Sequence, residues 1–225
     1  MVITIDGPAA AGKSAVAREL ARRLCVRYLD TGAMYRAVTW RALERGADLS
    51  DVAALVAVAR DAQIALIPHD GGARVLCDGE DVTQQIRRPE VTREIYRMAD
   101  APGVRRCLIE KQRAMGRQTD VVAEGRDQGT DVFPDAEVKF FLDASPEERT
   151  RRRWEDLRAG GREETPEAVC RMLAERDAKD SSRPMGSLRR TDEMIYLDST
   201  DLSLDEVVGR MLREVERRGL LPGHS

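Results

Sequence analysis

The stretch Val2-Ile3-Thr4-Ile5-Asp6-Gly7-Pro8-Ala9-Ala10-Ala11-Gly12-Lys13-Ser14 decides the fold. The β-branched run Val2 to Ile5 predicts a short strand, and Ala15 to Leu24 carries apolar residues at helical spacing. Between them lies a turn with the spacing G-x-x-x-x-G-K-S, in the strand-to-helix context that gives the pattern its meaning. Its glycines let the backbone curl until successive N–H groups point inward, while the helix N-terminus adds a dipole that favours an anion. In such a loop Gly7, Pro8, Ala9, Ala10, Ala11, Gly12 and Ala15 offer backbone to the phosphates of a nucleotide such as ATP. Lys13 reaches the β- and γ-phosphates, and the Ser14 hydroxyl is a candidate Mg²⁺ ligand. The competing reading is a Gly/Ala-rich turn with an incidental lysine. It is weak in a chain whose lysines are Lys13, Lys111, Lys139 and Lys179 alone.

Working outward, Arg27 to Leu29 predicts a second strand. Asp30 or Thr31 then caps a helix through Tyr35, Val38 and Leu43 that stops at Gly46. Val121 to Ala123, Val138 to Leu142 and Met194 to Leu197 are apolar runs too short for helices, each separated from the next by helical pattern. Five strands interleaved with helices predict an α/β chain with a parallel, doubly wound sheet, the P-loop NTPase fold. Two stretches break the rhythm. Ile64 to Ile67, the turn His69-Asp70-Gly71-Gly72 and Arg74 to Cys77 predict an antiparallel hairpin, hence an insert over about residues 58–100. Arg158 to Thr165, with Gly160 and Gly161 amid charge, separates two helices and predicts a mobile lid over about 151–166. The Pro222-Gly223-His224-Ser225 end reads as a frayed tail.

Composition narrows the partners. Apolar residues at 42% supply a core and charged residues at 34% a solvated surface, so 1–225 reads as a single domain. The formal charge of −3 provides no global field to recruit nucleic acid or an anionic membrane, so any anion site is local. Cys25, Cys77, Cys107 and Cys170 form no C-x-x-C pair, and with His69 and His224 the only histidines a zinc site is not expected. No stretch approaches the roughly 20 apolar residues of a membrane span, and the expected location is the cytoplasm.

A phosphate loop alone does not choose between GTPase, ATPase and small-molecule kinase. The Asn-Lys-x-Asp pattern of guanine recognition is absent. A kinase for a phosphorylated acceptor needs arginines on loops facing the γ-phosphate, because two polyanions must be aligned without repelling each other.

Ile3 to Pro8, Leu29-Asp30-Thr31-Gly32-Ala33-Met34-Tyr35-Arg36, Asp78 to Val82, Glu124-Gly125-Arg126-Asp127-Gln128-Gly129-Thr130, Val132 to Ala136, Glu175 to Asp180 and Leu197 to Thr200 together carry a resemblance to the bacterial cytidylate kinase family. It runs in family order over nearly the whole chain. It implies an ATP-dependent kinase acting on CMP and dCMP, with Mg²⁺, a core, a monophosphate-binding insert and a lid, working as a monomer. By this resemblance Lys13, Arg36, Arg126 and Arg176 are catalytic, the arginines holding the acceptor phosphate or the transferred group. Arg105 and Asp127 read the cytosine edge, Asp180 and Arg183 contact the pentose, and Thr31 precedes Arg36 in the acceptor loop. Arg149 and Arg153 are the candidates for the ATP side.

Two positions depart from the family pattern. Tyr96 stands where a base-reading Ser is usual, and Ser187 precedes Leu188 where the family has Pro, with Pro184 earlier; both are expected to reshape the acceptor pocket. Plainer readings compete. Arg176, Asp180 and Arg183 follow the spacing of an exposed helical charge ladder, Arg149 to Arg153 that of a solvated face, and Arg126 with Asp127 that of a surface turn. Glu124 suits either a Mg²⁺-bound water or a helix N-terminus. A different small-molecule kinase, acting on AMP, UMP or shikimate, and a non-catalytic nucleotide sensor remain open as alternatives.

Overall fold

In the computed structural model, which describes residues 1–69 and 72–220, Val2–Asp6 (β1) runs into the phosphate loop and Lys13–Leu24 (α1). Arg27–Asp30 (β2), Thr31–Glu44 (α2) and Val52–Asp61 (α3) follow. Next come Ile64–His69 (β3), Gly72–Cys77 (β4), Glu80–Asp81 (β5), Pro89–Ala99 (α4) and Pro102–Gln118 (α5). The chain closes with Val121–Gly125 (β6), Val138–Asp143 (β7), Pro146–Ala159 (α6), Pro166–Ser182 (α7), Ile195–Asp198 (β8) and Leu204–Arg217 (α8). The expected hairpin turn at Asp70 and Gly71, and the expected tail, lie outside the described residues. Among the described residues no helix is long and apolar enough to cross a membrane.

The large sheet has the order β2-β6-β1-β7-β8, every pair parallel, as the alternation of strands and helices predicts. The chain leaves β1, crosses over β6 and returns as β2, so β1 meets β6 and β7 at the point where the winding reverses. In such a sheet ligands gather beyond the carboxyl ends of the strands at that reversal. The register brings the functional ends together: Asp6 lies opposite Gly125 and Phe141, and Asp30 opposite Glu124.

Parallel strands covered on both faces are apolar along their length, and Ile3, Ile5 and Phe140 are indeed fully buried. One face packs on α1 and α8 through Val16, Leu20, Val208 and Met211. The other packs through Met34, Val38, Leu108 and Ala123 in a core that also takes in Val75, Cys77, Val82, Ile86 and Met98. The antiparallel sheet β3-β4-β5 and α4 therefore share one core with α2 and α5. Truncating Ile5 to Ala in this setting costs about 2–5 kcal/mol.

Helix starts are written into the chain. The Asp30 carboxylate accepts from Ala33 N at 2.8 Å and starts α2 with Arg36 on its first turns. Ser145 with Pro146 starts α6, and Thr165 with Pro166 starts α7, each hydroxyl accepting the N–H three residues on at 3.2 Å. Residues 160–165 join these two helices, as the glycines predict.

Candidate active site

The phosphate loop is shaped by backbone that only small residues permit. Gly7 has φ 153°, and a Cβ there would be driven into the Leu142 carbonyl of β7. Ala10 (φ 62°) and Gly12 (φ 89°) are left-handed, and Gly12 caps α1 with no side chain over its first N–H groups. Those uncapped donors and the helix dipole make an anion seat. Lys13 is buried with its Nζ on the Pro8 carbonyl at 2.6 Å, and burial followed by the Arg126 charge lowers it to about 7. The Ser14 hydroxyl donates to Glu124 Oε1 at 2.8 Å, and the Tyr28 hydroxyl donates to the same oxygen at 3.3 Å. Asp30, facing Glu124, is pushed up to about 6 by burial and then by that carboxylate. Asp6 accepts from Gln128 N at 2.8 Å and Gly129 N at 2.7 Å, with burial pushing it up to about 7. It thereby ties the end of β1 to the turn Gln128–Val132.

Helices α6 and α7 hold the outer side of the loop. Arg149 pairs with Asp177 and donates to the carbonyls of Ala9 and Ala144 at 3.2 Å, while Asp177 accepts from Ala9 N at 3.1 Å. Arg152 donates to the Ala11 carbonyl at 3.4 Å, to Ser199 Oγ at 3.0 Å and to the Ser199 carbonyl at 2.6 Å. Arg152 and Asp177 are absent from the residues expected from sequence. Arg153, expected on the nucleotide side, has a different setting from Arg149. It makes no hydrogen bond or ion pair among the described residues, and its charge bears on both Arg36 and Arg176.

Across from the loop the arginines converge. Arg36 donates to Thr92 Oγ1 at 2.8 Å and to the Ile86 carbonyl at 3.4 Å, its pKa lowered by burial and by Arg87, another arginine that sequence reading passed over. Arg176, exposed on α7, is lowered to about 10 by the partial loss of water among its neighbours and then by Arg126. Arg126 donates to Asp180 Oδ2 at 2.7 Å and to the Gly125 carbonyl at 3.2 Å. Lys13, Arg36, Arg126, Arg153 and Arg176 thus form a linked set of cations, with Asp180 the counter-charge of Arg126 and Arg176, Glu124 and Asp6 that of Lys13, and Asp30 that of Arg36. Cations gathered in this way form a site whose field is relieved by a polyanion.

The far end is more enclosed. Arg105 and Asp127 pair with 3% and 5% of their side chains exposed, and Arg105 Nη1 also donates to the Ala99 carbonyl at 3.0 Å. Burial pushes the Asp127 carboxyl up against the pull of Arg105. Asp180, despite burial, is held below the usual carboxylate range by Arg126 and Arg183. Arg183 bridges Asp180 at 2.8 Å and Asp100 at 2.7 Å. Asp180 and Arg183 therefore turn inward, whereas Arg176 is exposed on α7 with no hydrogen bond or ion pair among the described residues, as the ladder reading has it. The buried Thr31 hydroxyl donates to the Glu124 carbonyl at 2.7 Å. Tyr96 is 41% exposed on α4, its ring centroid 5.3 Å from Arg97 Cζ and 5.8 Å from Lys179 Nζ of α7.

A phosphate loop at the switch point of a parallel sheet, facing a cluster of arginines, defines a P-loop kinase. Comparison with known proteins agrees: the sequence model of the family described as cytidylate kinase matches residues 3–217. The chain belongs to the cytidylate kinase family. It is 45% identical over 216 residues to the cytidylate kinase of Bacillus velezensis, covering 96% of each chain. To that of Solibacter usitatus it is 47% identical over 222 residues, covering 97% of this chain and 93% of the relative. Against the bifunctional pantoate ligase/cytidylate kinase of a Synechococcus strain, 94% of this chain aligns with 40% of the relative at 47% identity. Among solved structures the shikimate kinase of Bacteroides thetaiotaomicron superposes with a TM-score of 0.52 at 12% identity, covering 96% of this chain and 98% of that one, a likeness of fold.

Proposed function

We propose that the protein transfers the γ-phosphoryl group of ATP to CMP and dCMP, giving CDP or dCDP and ADP. The observation that carries the acceptor reading is the buried Arg105–Asp127 pair, whose carboxylate feels the charge of Arg183, itself paired with Asp180 and through it with Arg126 opposite the phosphate loop. A carboxylate accepts from the exocyclic amine of cytosine and a guanidinium donates to its ring acceptors; uracil would present a carbonyl to Asp127. Asp180 and Arg183 take the pentose hydroxyls. Arg36, Arg126 and Arg176 grip the acceptor phosphate and the transferred group, where permanent charge and forked donors suit phosphate oxygens. Lys13 and the loop N–H groups take the donor phosphates, with Arg153, which makes no hydrogen bond or ion pair among the described residues, the freer of the two α6 arginines to join them. Thr31 supports the acceptor loop and Tyr96 borders the acceptor side.

Mg²⁺ fits this donor site. Among the described residues no cluster of three or more His, Cys, Asp or Glu side chains is placed to hold a metal, so a cation here relies on Ser14, water and phosphate oxygens. The facing carboxylates of Glu124 and Asp30 are relieved by positive charge, and Mg²⁺ commonly enters such sites with few protein ligands. When bound, Mg²⁺ neutralises charge on the donor phosphate oxygens. Residues 151–166 act as a lid that excludes water, and 58–100 as the acceptor insert. The protein works as a cytoplasmic monomer on small molecules, without nucleic acid or membrane.

Coupled ADP release with Mg-ATP against CMP, dCMP, UMP, AMP, GMP, shikimate and no acceptor tests the reading. Fast turnover confined to CMP and dCMP is expected. Preferred turnover of another acceptor would overturn the assignment of the Arg105–Asp127 pair, and silence across the panel would overturn the kinase reading.

A further inference from the structure

Arg105 is confined from several sides. Its Nη2 lies on Asp127, its Nη1 on the Ala99 carbonyl, and its Cζ stands 5.5 Å from the centroid of the Tyr35 ring. A further side is covered by Gly186, in the segment after α7. Gly186 is left-handed (φ 71°), and a Cβ there would overlap the Arg105 guanidinium. With 3% of its side chain exposed, Arg105 could yield to such a Cβ only by leaving Asp127.

The cover is fastened. Gly186 N donates to Asp131 Oδ2 at 2.8 Å, and Asp131 follows Asp127 by four residues on the turn Gln128–Val132. Leu188 N donates to the Asp180 carbonyl at 2.9 Å, and Arg189 adds a 3.3 Å contact to Asp131. The Arg105 Nε–H is buried with no partner. Its own hydrogen bonds thus leave one donor unfilled, and the cover limits the plane the guanidinium can take.

We propose that Gly186 and Asp131 are specificity-determining positioning residues. Asp131 anchors the segment, and the missing side chain of Gly186 is the slot that receives the Arg105 plane. Together they hold the Arg105–Asp127 pair in the orientation that distinguishes one pyrimidine from another. The inference rests on the acceptor assignment proposed above.

The test measures kcat and KM for CMP, UMP and ATP in Gly186→Ala, Asp131→Ala and Asp131→Asn, with Asp127→Asn as reference and thermal unfolding of each. Gly186→Ala and Asp131→Ala are each expected to raise KM for CMP about tenfold and to shrink the CMP-over-UMP preference about as much, with KM for ATP within about twofold. Asp131→Asn keeps an oxygen for the Gly186 N–H and stays near the parent. Should Gly186→Ala not fold, Asp131→Ala carries the same reading. The proposal is overturned if KM for CMP and ATP rise together, or if both alanine variants keep the parental preference. If Asp127→Asn also keeps that preference, the acceptor assignment fails as well; if Asp127→Asn alone loses it, only the positioning role fails.

Discussion

Removing Arg105 is the most demanding perturbation of this site. In Arg105→Met the Asp127 carboxyl keeps 5% exposure and loses its cation, leaving Gln128 Nε2 at 3.5 Å as a poor substitute. Breaking one side of a buried pair costs about 3–5 kcal/mol. For a chain of this length about 2–4 °C of Tm goes with each kcal/mol, so a fall of about 6–20 °C is expected. Asp127 then becomes an acid whose folded-state pKa lies far above its unfolded value. The folded state binds the extra proton at low pH, and stability is lost as pH rises through the interval between the two values. The deficit of Arg105→Met should accordingly shrink on going from pH 8 to pH 5. The double variant Arg105→Met/Asp127→Asn removes both charges and should be more stable than Arg105→Met alone, with a coupling of about 2–3 kcal/mol. Urea denaturation of the four proteins at both pH values supplies the cycle. Losses that add to within about 0.5 kcal/mol, or a deficit indifferent to pH, would refute the reasoning.

Other expectations follow from the same geometry. Lys13→Ala should abolish turnover in the coupled assay while leaving the circular dichroism and Tm close to the parent. Gly7→Ala places a Cβ against the Leu142 carbonyl and should weaken ATP binding at least about tenfold by calorimetry, the loop being unable to close around phosphate. Asp180→Asn frees Arg126 and Arg183 and should lower kcat/KM for CMP by about a hundredfold, with KM for ATP little changed. Because Lys13 is lowered to about 7, its charge is lost as pH rises through that value. Mg-ATP affinity should weaken from about pH 7 to 9 and binding should take up close to one proton at the upper end, measured in buffers of contrasting ionisation enthalpy. A proton count that is flat with pH would remove Lys13 from that role.

The parallel sheet was legible because each strand is a short apolar run bracketed by helical periodicity, and the phosphate loop because glycine, lysine and serine stand at fixed spacing. The order of the strands was not, since nothing local in β6 says that it lies between β1 and β2. The arginines show the limit most clearly. Arg151, Arg152 and Arg153 are consecutive, about 100° apart around one helix, and sequence offers no reason to prefer one. In the structure Arg151 points outward to Glu148 and Glu155, Arg152 holds the phosphate loop, and the charge of Arg153 reaches the arginine cluster. Arg87 and Asp177 were missed for the same reason: their partners, Arg36 and Asp30 for one and Ala9 and Arg149 for the other, are distant in sequence.

The two bonds from α6 to the phosphate loop also act as a mechanical constraint. Arg149 and Arg152 pin the first two turns of this helix to the carbonyls of Ala9 and Ala11, whose neighbouring amides form the anion seat. Turning α6 as a rigid rod would drag those peptide planes and spoil the seat. Any swing of the chain beyond Arg152 therefore pivots there, like a lever clamped at its root, and a nucleotide that stiffens the loop stiffens the clamp.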